Sequence, residues 1–278
     1  MSISKQTYKE LAIPYFKEVF DCIDEIMINH KIPYYLIGVS AIALELLKNN
    51  IKPSRGTKDI DFAIMISSIE EYEELSKSLG EKGFNKVDAP WTFYSAEYNT
   101  AIDILLFGQI EEQNTVQFND RNIDLHVLGL KEVLEQAIPI PIEEKIANIP
   151  PLPGMIVLKL VAWSDRPEER GNDLPDILRI IEHYFDIEYD EIIEFHYDTF
   201  PEDEIDQLIV AAEVLGRKAK IYLDKSEILS KRIHHILDTN LGKESESYIS
   251  RVWAIQKNWE IEYAFSILQA FKNGLLKE

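Results

Sequence analysis

The sequence predicts an α+β protein in which a small mixed sheet with helices is followed by an all-helical C-terminal half. Up to residue 150, segments with the two-residue period of strands alternate with segments of helical period. After residue 150, strand candidates disappear and nearly every segment has helical period and high charge. Between Ile138 and Gly154 lie five of the twelve prolines, each of which removes a backbone donor and disfavours helix before it. We therefore predict an extended boundary there, with domains at residues 1–150 and 151–278.

The first half opens with an amphipathic helix. Ile13, Phe16, Phe20 and Ile23 recur at helical spacing, and the helix must end before Pro33. A short apolar and aromatic run then predicts a strand, and a glycine turn leads into a second helix. The later segments alternate in the same way. The predicted elements after the first helix are a strand at Tyr34–Ile37, a helix at Ser40–Leu47, a strand at Asp59–Ile66, a helix at Ile69–Lys82, and strands at Trp91–Ser95 and Ala101–Phe107.

The composition excludes several classes of protein. The 278 residues are 46% hydrophobic and 28% charged, which is typical of a globular chain. Cys22 is the only cysteine, so an intramolecular disulfide and a multi-cysteine zinc site are excluded. The net charge of −20 repels phosphate backbones and argues against extended, sequence-independent nucleic-acid binding. The N-terminal segment lacks an export signal, and the most apolar run, Leu36–Leu47, is too short to span a membrane. We expect a cytoplasmic protein.

Three aspartates on predicted strands are the strongest candidates for chemistry. Asp59 and Asp61 are two apart, so a strand would present both carboxylates on one face. Two such anions repel each other unless a divalent cation lies between them, and oxygen-only ligands favour Mg²⁺ or Mn²⁺. Asp103 is flanked by apolar residues in a strand that we expect to be central, where a carboxylate needs a partner. A metal shared by all three would provide it. The alternative is that these residues decorate strand ends that face water.

A glycine turn precedes the aspartate pair. Gly38 lies between a predicted strand and the start of a predicted helix, where backbone amides can approach an anion. Ser40 can add a hydroxyl donor at the same turn. The alternative for this pattern is plain helix capping.

These motifs resemble the nucleotidyltransferases of the DNA polymerase β superfamily, and within it the AbiEii-like group, which includes toxins of type IV toxin–antitoxin systems. The resemblance covers roughly residues 33–182. Val39 is a departure, since the family has a small residue there, and it weakens the phosphate role of Ser40. The matching residues are Gly38 and Ser40, Arg55 and Thr57, Asp59 and Asp61, Asp103, Leu158-Lys159-Leu160, Arg166, and Asp173 with Asp176.

The resemblance implies a nucleotidyltransferase-fold catalytic domain followed by a helical domain that contributes to nucleotide and acceptor binding. It implies that Asp59, Asp61 and Asp103 are the catalytic and metal-binding residues, with Mg²⁺ or Mn²⁺ as cofactor. Charge neutralisation by two metal ions suits the transfer of a nucleoside monophosphate from a nucleoside triphosphate. The residues expected to bind the nucleotide are Gly38, Ser40, Arg55, Thr57, Lys159, Arg166 and Asp176.

The acceptor and the partners stay open at this point. The resemblance implies a transfer RNA or a protein as acceptor, and a cognate antitoxin as partner. A basic-rich stretch from Arg217 to Arg232 is either a solvated helix face or a docking site for a transfer RNA. The alternatives are an aminoglycoside-like small-molecule acceptor and a non-catalytic nucleotide-binding module.

Overall fold

The computed structural model describes residues 11, 13–53, 56–57, 59–118, 123–202 and 204–277. It confirms the predicted α+β class. The chain divides into two compact units, Met1–Pro151 and Leu152–Glu278. Within the described residues, no helix is both long enough and apolar enough to cross a bilayer.

The first unit contains the strands and four of the described helices. Its helices are α1 (Phe16–His30), α2 (Gly38–Lys48), α3 (Ile69–Glu81) and α4 (Leu130–Leu134). Its strands are β1 (Tyr34–Leu36), β2 (Asp59–Ile66), β3 (Phe84–Lys86), β4 (Thr92–Ser95), β5 (Thr100–Gly108), β6 (Thr115–Phe118), β7 (Ile123–His126), β8 (Ile138–Ile142) and β9 (Lys145–Ile149).

The main sheet of this unit has the order β1-β2-β5-β4-β3 among the described residues. β2 and β5 pair in parallel, while the other neighbouring strands pair antiparallel. Separate two-stranded sheets are formed by β6 with β7 and by β8 with β9. The central pair of the main sheet is therefore β2 and β5, the two strands that carry the aspartates.

The two faces of β2 and β5 differ in character because side chains alternate along a strand. Phe62 and Ile104 are fully buried on one face. The ring centroid of Phe62 lies 6.3 Å from that of Tyr34, which in turn lies 6.4 Å from that of Phe20 on α1. The opposite face carries the half-buried Asp61 and its neighbours. One face thus supplies core residues, while the other carries the aspartates near the start of both strands and the buried Ala63 and Phe107 farther along.

The proline-rich stretch departs in detail from the prediction. β8 and β9 form a hairpin, so the segment is extended as expected up to Ile149. The extended structure was expected to reach Gly154, but α5 begins at Leu152. Pro153 fits in the first turn of a helix, where its missing N–H leaves no hydrogen bond unmade. Likewise α2 begins at Gly38, two residues earlier than predicted.

The second unit is helical throughout its described residues. Gly216 of α8 and Gly274 of α11 let these two helices pack closely, since a Cβ on Gly216 would lie 2.1 Å from the carbonyl oxygen of Phe271. Trp253 is buried, and its indole N–H donates to the carbonyl oxygen of Leu174 at 2.9 Å. Its helices are α5 (Leu152–Asp165), α6 (Asp173–Ile187), α7 (Tyr189–Phe195), α8 (Gln207–Leu223), α9 (Glu227–Leu241), α10 (Tyr248–Lys257) and α11 (Ile261–Leu276).

Candidate metal and nucleotide site

Three aspartates meet on one face of the main sheet. Asp59 and Asp61 lie on β2, and Asp103 lies directly opposite Asp61 in the parallel register of β2 and β5. Each residue offers one carboxylate oxygen, and these oxygens all lie within 4.8 Å of one another. In the part of the chain that the structure describes, this is the one group of three or more such ligand residues. The spacing predicted from the strand pattern therefore brings all three side chains together.

This arrangement is electrostatically unfavourable for the protein alone. Two carboxylates about 5 Å apart repel each other by about 3 kcal/mol at an effective dielectric constant of about 20. Three pairwise repulsions act within the cluster. A divalent cation among the oxygens reverses the sign of the interaction, and an all-oxygen donor set suits Mg²⁺ or Mn²⁺. The residues present therefore fit such an ion.

Two threonine hydroxyls donate to two of these carboxylates. Thr57 Oγ1 donates a short hydrogen bond to Asp59 Oδ1. Thr92 Oγ1 donates to Asp103 Oδ1 at 2.5 Å. Thr57 was predicted to bind the nucleotide, and the structure places its hydroxyl on Asp59. Thr92 was not identified from the sequence. It could have been found only from the register of β4 against β5, which sets Thr92 opposite Asp103.

The glycine turn lies against the same cluster. Gly38 has a φ of +65°, and a Cβ built on it would lie 1.9 Å from Asp61 Oδ2. The Ile37 N–H donates to the carbonyl oxygen of Asp61 at 2.9 Å, which fixes the turn on β2. The N-terminus of α2, where the first backbone amides have no carbonyl partner within the helix, thus begins beside the aspartates. Glycine is required here both by the positive φ and by the close approach.

Two more residues of the first unit, Ser40 and Arg55, were predicted to bind the nucleotide. Ser40 is fully buried, and its hydroxyl has no hydrogen-bond partner among the described residues. This hydroxyl can therefore contact a bound phosphate only if the turn opens locally. Arg55 lies outside the described residues.

Lys159 of α5 forms a buried ion-pair cluster within the second unit. Its ammonium lies 2.6 Å from Asp173 Oδ1 and 2.8 Å from Asp176 Oδ2. Burial opposes the charge of the ammonium, but the two carboxylates outweigh it and raise the pKa of Lys159. Asp173 Oδ2 is buried without a hydrogen-bond partner among the described residues. Lys159 is therefore a fixed, permanently charged group.

Arg166 does not join this cluster. Its guanidinium lies 3.3 Å from Glu169 Oε2, and both side chains are exposed. The two aspartates of α6 therefore pair with Lys159, whereas Arg166 pairs with Glu169.

Most of the basic-rich stretch is engaged in ion pairs. Arg217 pairs with Asp198 and Glu213, and Lys218 pairs with Glu191. The further pairs are Lys231 with Glu227 and Arg232 with Asp165. These contacts reduce the positive field that a polyanion would meet. They favour the interpretation of the stretch as helix surface over a docking site for transfer RNA.

Comparison with known proteins gives distant structural likenesses only. No protein-family model and no curated protein matches the chain. The chain is similar to the solution structure of the antibiotic-resistance factor ANT(2'')-Ia, with a TM-score of 0.41 and 12% identity, over 83% of this chain and 100% of that one. It is also similar to an antigenic nucleotidyltransferase-like protein from Paracoccidioides brasiliensis, with a TM-score of 0.41 and 15% identity, over 82% of this chain and 94% of that one. Both TM-scores lie below 0.5, so neither likeness implies a shared activity.

Proposed function

We propose that this protein is a metal-dependent nucleotidyltransferase that moves a nucleoside monophosphate from a nucleoside triphosphate to an acceptor hydroxyl. The observation that carries the proposal is the convergence of Asp59, Asp61 and Asp103. Their carboxylates repel one another without a cation, and their oxygen-only chemistry suits Mg²⁺ or Mn²⁺. A site that holds hard divalent cations beside a helix N-terminus fits the triphosphate of a nucleotide.

The aspartates have distinct roles in this proposal. Asp59 and Asp61 would hold the divalent cations, with Asp103 as a further ligand. Bound there, the cations supply neutralisation of the triphosphate and a lowered pKa of the attacking hydroxyl. The acceptor oxygen bonds to the α-phosphorus, the bond from that phosphorus to the bridging oxygen of pyrophosphate breaks, and Asp103 accepts the hydroxyl proton directly or through water.

The remaining proposed residues bind the nucleotide. The turn at Gly38 and Ser40 would receive the terminal phosphates at the amides of α2, since anions are favoured at helix N-termini. Lys159 is a further proposed contact for the triphosphate. Its two ion pairs keep the ammonium protonated, and a phosphate would have to replace one of the two carboxylates as its partner. Arg55 is a second candidate for phosphate contact. The last residues proposed for nucleotide binding are Thr57, Arg166 and Asp176.

Among nucleotidyltransferases, we propose that this protein is an AbiEii-like toxin with a cognate antitoxin. This assignment is supported by the run from Arg55 to Asp61 and by the motif residues of α5 and α6, including Lys159 and Asp176. Of the two acceptors that this assignment implies, we favour a protein over a transfer RNA. The net charge of −20 and the ion pairing of Arg217, Lys218 and their neighbours both disfavour RNA binding.

Labelling with nucleotides tests this function. The purified chain is incubated with each α-labelled nucleoside triphosphate, Mg²⁺ and a cell extract. We expect one triphosphate to label a band that protease removes and nuclease spares. Asp61→Asn should abolish the labelling, whereas Asp124→Asn, which neutralises an exposed carboxylate on β7, should leave it unchanged.

Other outcomes discriminate among the alternatives. A nuclease-sensitive product would identify an RNA acceptor, and a label on a low-molecular-weight compound would identify a small-molecule acceptor. Nucleotide binding that survives EDTA, with no labelled product, would identify a non-catalytic binding module. Labelling that persists in Asp61→Asn would contradict the proposal.

A further inference from the structure

Thr92 forms the end of a polar row that crosses three strands. In the register of the sheet, Asp61 of β2 lies opposite Asp103 of β5, and Asp103 lies opposite Thr92 of β4. Residues in register on neighbouring strands share a face, so these three side chains lie side by side. Asp103 is therefore flanked by a like charge on one side and by a hydroxyl on the other.

The hydroxyl of Thr92 is held in place by its backbone and by its side-chain chemistry. The Thr92 N–H donates to the carbonyl oxygen of Ala89 at 3.1 Å, and its own carbonyl accepts from the Val87 N–H at 3.1 Å. The Ile104 N–H donates to the carbonyl oxygen of the preceding Trp91 at 2.8 Å. A β-branched side chain on such a backbone has restricted rotamers. The Thr92 hydroxyl, which donates to Asp103, is thus pre-positioned.

We propose that Thr92 is a positioning residue that holds the carboxylate of Asp103 in place for the divalent cation. This inference rests on the proposed function. Repulsion from Asp61 pushes the Asp103 carboxylate toward β4, and the 2.5 Å hydrogen bond from Thr92 on that side holds Oδ1 and so limits rotation of the carboxylate. Hydrogen bonds to an ionised acceptor are shorter and stronger than neutral ones. Outer partners of this kind orient metal ligands.

The arrangement at Asp59 supports the same interpretation. Thr57 donates to Asp59 Oδ1 just as Thr92 donates to Asp103 Oδ1. Thr57 belongs to the segment immediately before β2, whereas Thr92 comes from a different strand. Carboxylates on both strands of the central pair therefore receive a threonine hydroxyl, although the two threonines reach the site by unrelated routes.

Binding of Mn²⁺ alone to the full chain tests the proposal, with the free ion followed by electron paramagnetic resonance. Thr92→Val keeps the shape and β-propensity of threonine but removes the donor. We expect the dissociation constant for Mn²⁺ to rise about tenfold, at the low end of the range for lost outer-shell hydrogen bonds. Thr92→Ser restores the hydroxyl, and we expect it to bind Mn²⁺ within about twofold of the wild type.

Matched variants separate positioning from stability. Thr115→Val removes a half-buried threonine hydroxyl from β6, which lies 3.4 Å from His126 Nδ1, and should leave Mn²⁺ binding unchanged. Thermal unfolding of each variant shows whether it is folded. If Thr92→Val does not fold, the pair Thr92→Ser and Thr92→Ala makes the same comparison. A structural role alone would move the unfolding temperature without the hydroxyl-dependent change in metal affinity.

The outcomes distinguish this inference from the proposed function. If Asp103→Ala loses Mn²⁺ binding and Thr92→Val binds like the wild type, the positioning role is wrong and the metal site stands. If Thr92→Ser binds as weakly as Thr92→Val, the methyl contact rather than the hydroxyl matters and the positioning role is also wrong. If Asp103→Ala binds Mn²⁺ normally, the proposed metal site is wrong, and the inference fails with it.

Discussion

The carboxylate of Asp61 occupies the space in which a side chain on residue 38 would begin. A Cβ built on Gly38 lies 1.9 Å from Asp61 Oδ2 and 2.8 Å from its Cγ. The turn that starts α2 and the strand that carries the aspartates are therefore fitted to each other at one point. A substitution at Gly38 must therefore displace the Asp61 side chain, and a larger side chain at residue 61 must displace the turn.

Gly38→Ala should damage both stability and metal binding. The new methyl group must displace Asp61, and alanine at a φ of +65° is itself strained. We expect the free energy of unfolding to fall by about 2 kcal/mol or more. Gly80→Ala is the matched control, because a Cβ there meets nothing within 4 Å and the exposed position lies in α3. Urea unfolding and Mn²⁺ titration of both variants check this, and a Gly38→Ala protein as stable as the wild type would contradict the contact.

Asp61→Asn should weaken metal binding and strengthen the metal-free fold. The substitution removes one charge from the cluster of three carboxylates, so part of their mutual repulsion is relieved. We expect the free energy of unfolding in EDTA to rise by roughly 1–3 kcal/mol and Mn²⁺ affinity to fall by about 100-fold or more. Chemical denaturation in EDTA and in Mn²⁺ measures both changes. A variant that loses stability in EDTA would show that repulsion does not dominate this site.

Lys159→Met should destabilise the second unit strongly. It removes the ammonium partner of two buried carboxylates, Asp173 and Asp176. Leaving charges buried after one partner is lost typically costs about 3–5 kcal/mol. Lys231→Met is the control, since its pair with Glu227 is largely exposed and contributes little. Denaturant unfolding of both variants decides the point, and equal stability of the two would overturn the importance of the buried cluster.

Gly274→Ala should separate α8 from α11. A Cβ at this position would lie 2.0 Å from the carbonyl oxygen of Glu213, a backbone atom that cannot swing aside. We expect a loss of about 3 kcal/mol, as for other overpacked contacts. Gly171→Ala, where nothing lies within 4 Å, should change stability by less than about 0.5 kcal/mol. Urea midpoints of the two variants compare them directly.

His183 should make the protein sensitive to mild acid. Burial, followed by the nearby charge of Arg179, lowers the pKa of this imidazole below its ordinary 6.5. The folded state therefore holds the neutral form, and the unfolded state takes up a proton first as the pH falls. The neutral imidazole of His183 therefore leaves the fold at full stability above pH 6.5. The free energy of unfolding then decreases as the pH falls from 6.5 through the lowered pKa.

His183→Gln should reduce this dependence. Between about pH 7.5 and 5.5 its thermal midpoint should fall less than that of the wild type, because no imidazole remains to charge. His235→Gln, at an exposed position on α9, should fall as the wild type does. Equal acid sensitivity of His183→Gln and the wild type would exclude His183 as a source of the effect.

The strand pattern was sufficient to predict the aspartate cluster. Asp59 and Asp61 alternate with buried residues, and that local signal places both on one face without knowledge of the fold. Asp103 was identified because it interrupts an apolar strand. Helix α1 and strand β2 were likewise predicted because their hydrophobic periods are strong and local.

What the sequence did not reveal depends on pairing between distant segments. The contact of Thr92 with Asp103 requires the register of β4 against β5, which no local pattern determines. The strands β3, β6 and β7 were missed because runs of three or four residues carry little periodic signal. The partner of Arg166 was also undetermined, since acidic residues follow it at several positions, among them Glu169, Asp173 and Asp176, and only the fold selects Glu169.

The outer strands of the main sheet have a consequence for self-association. β1 and β3, at its two edges, each have only three residues. Exposed edges of long strands are templates on which other chains can add and aggregate, whereas short edges offer few unpaired backbone groups. The five-stranded sheet therefore gives a second molecule little to extend, and concentrated solutions of this acidic protein should resist fibril growth through it.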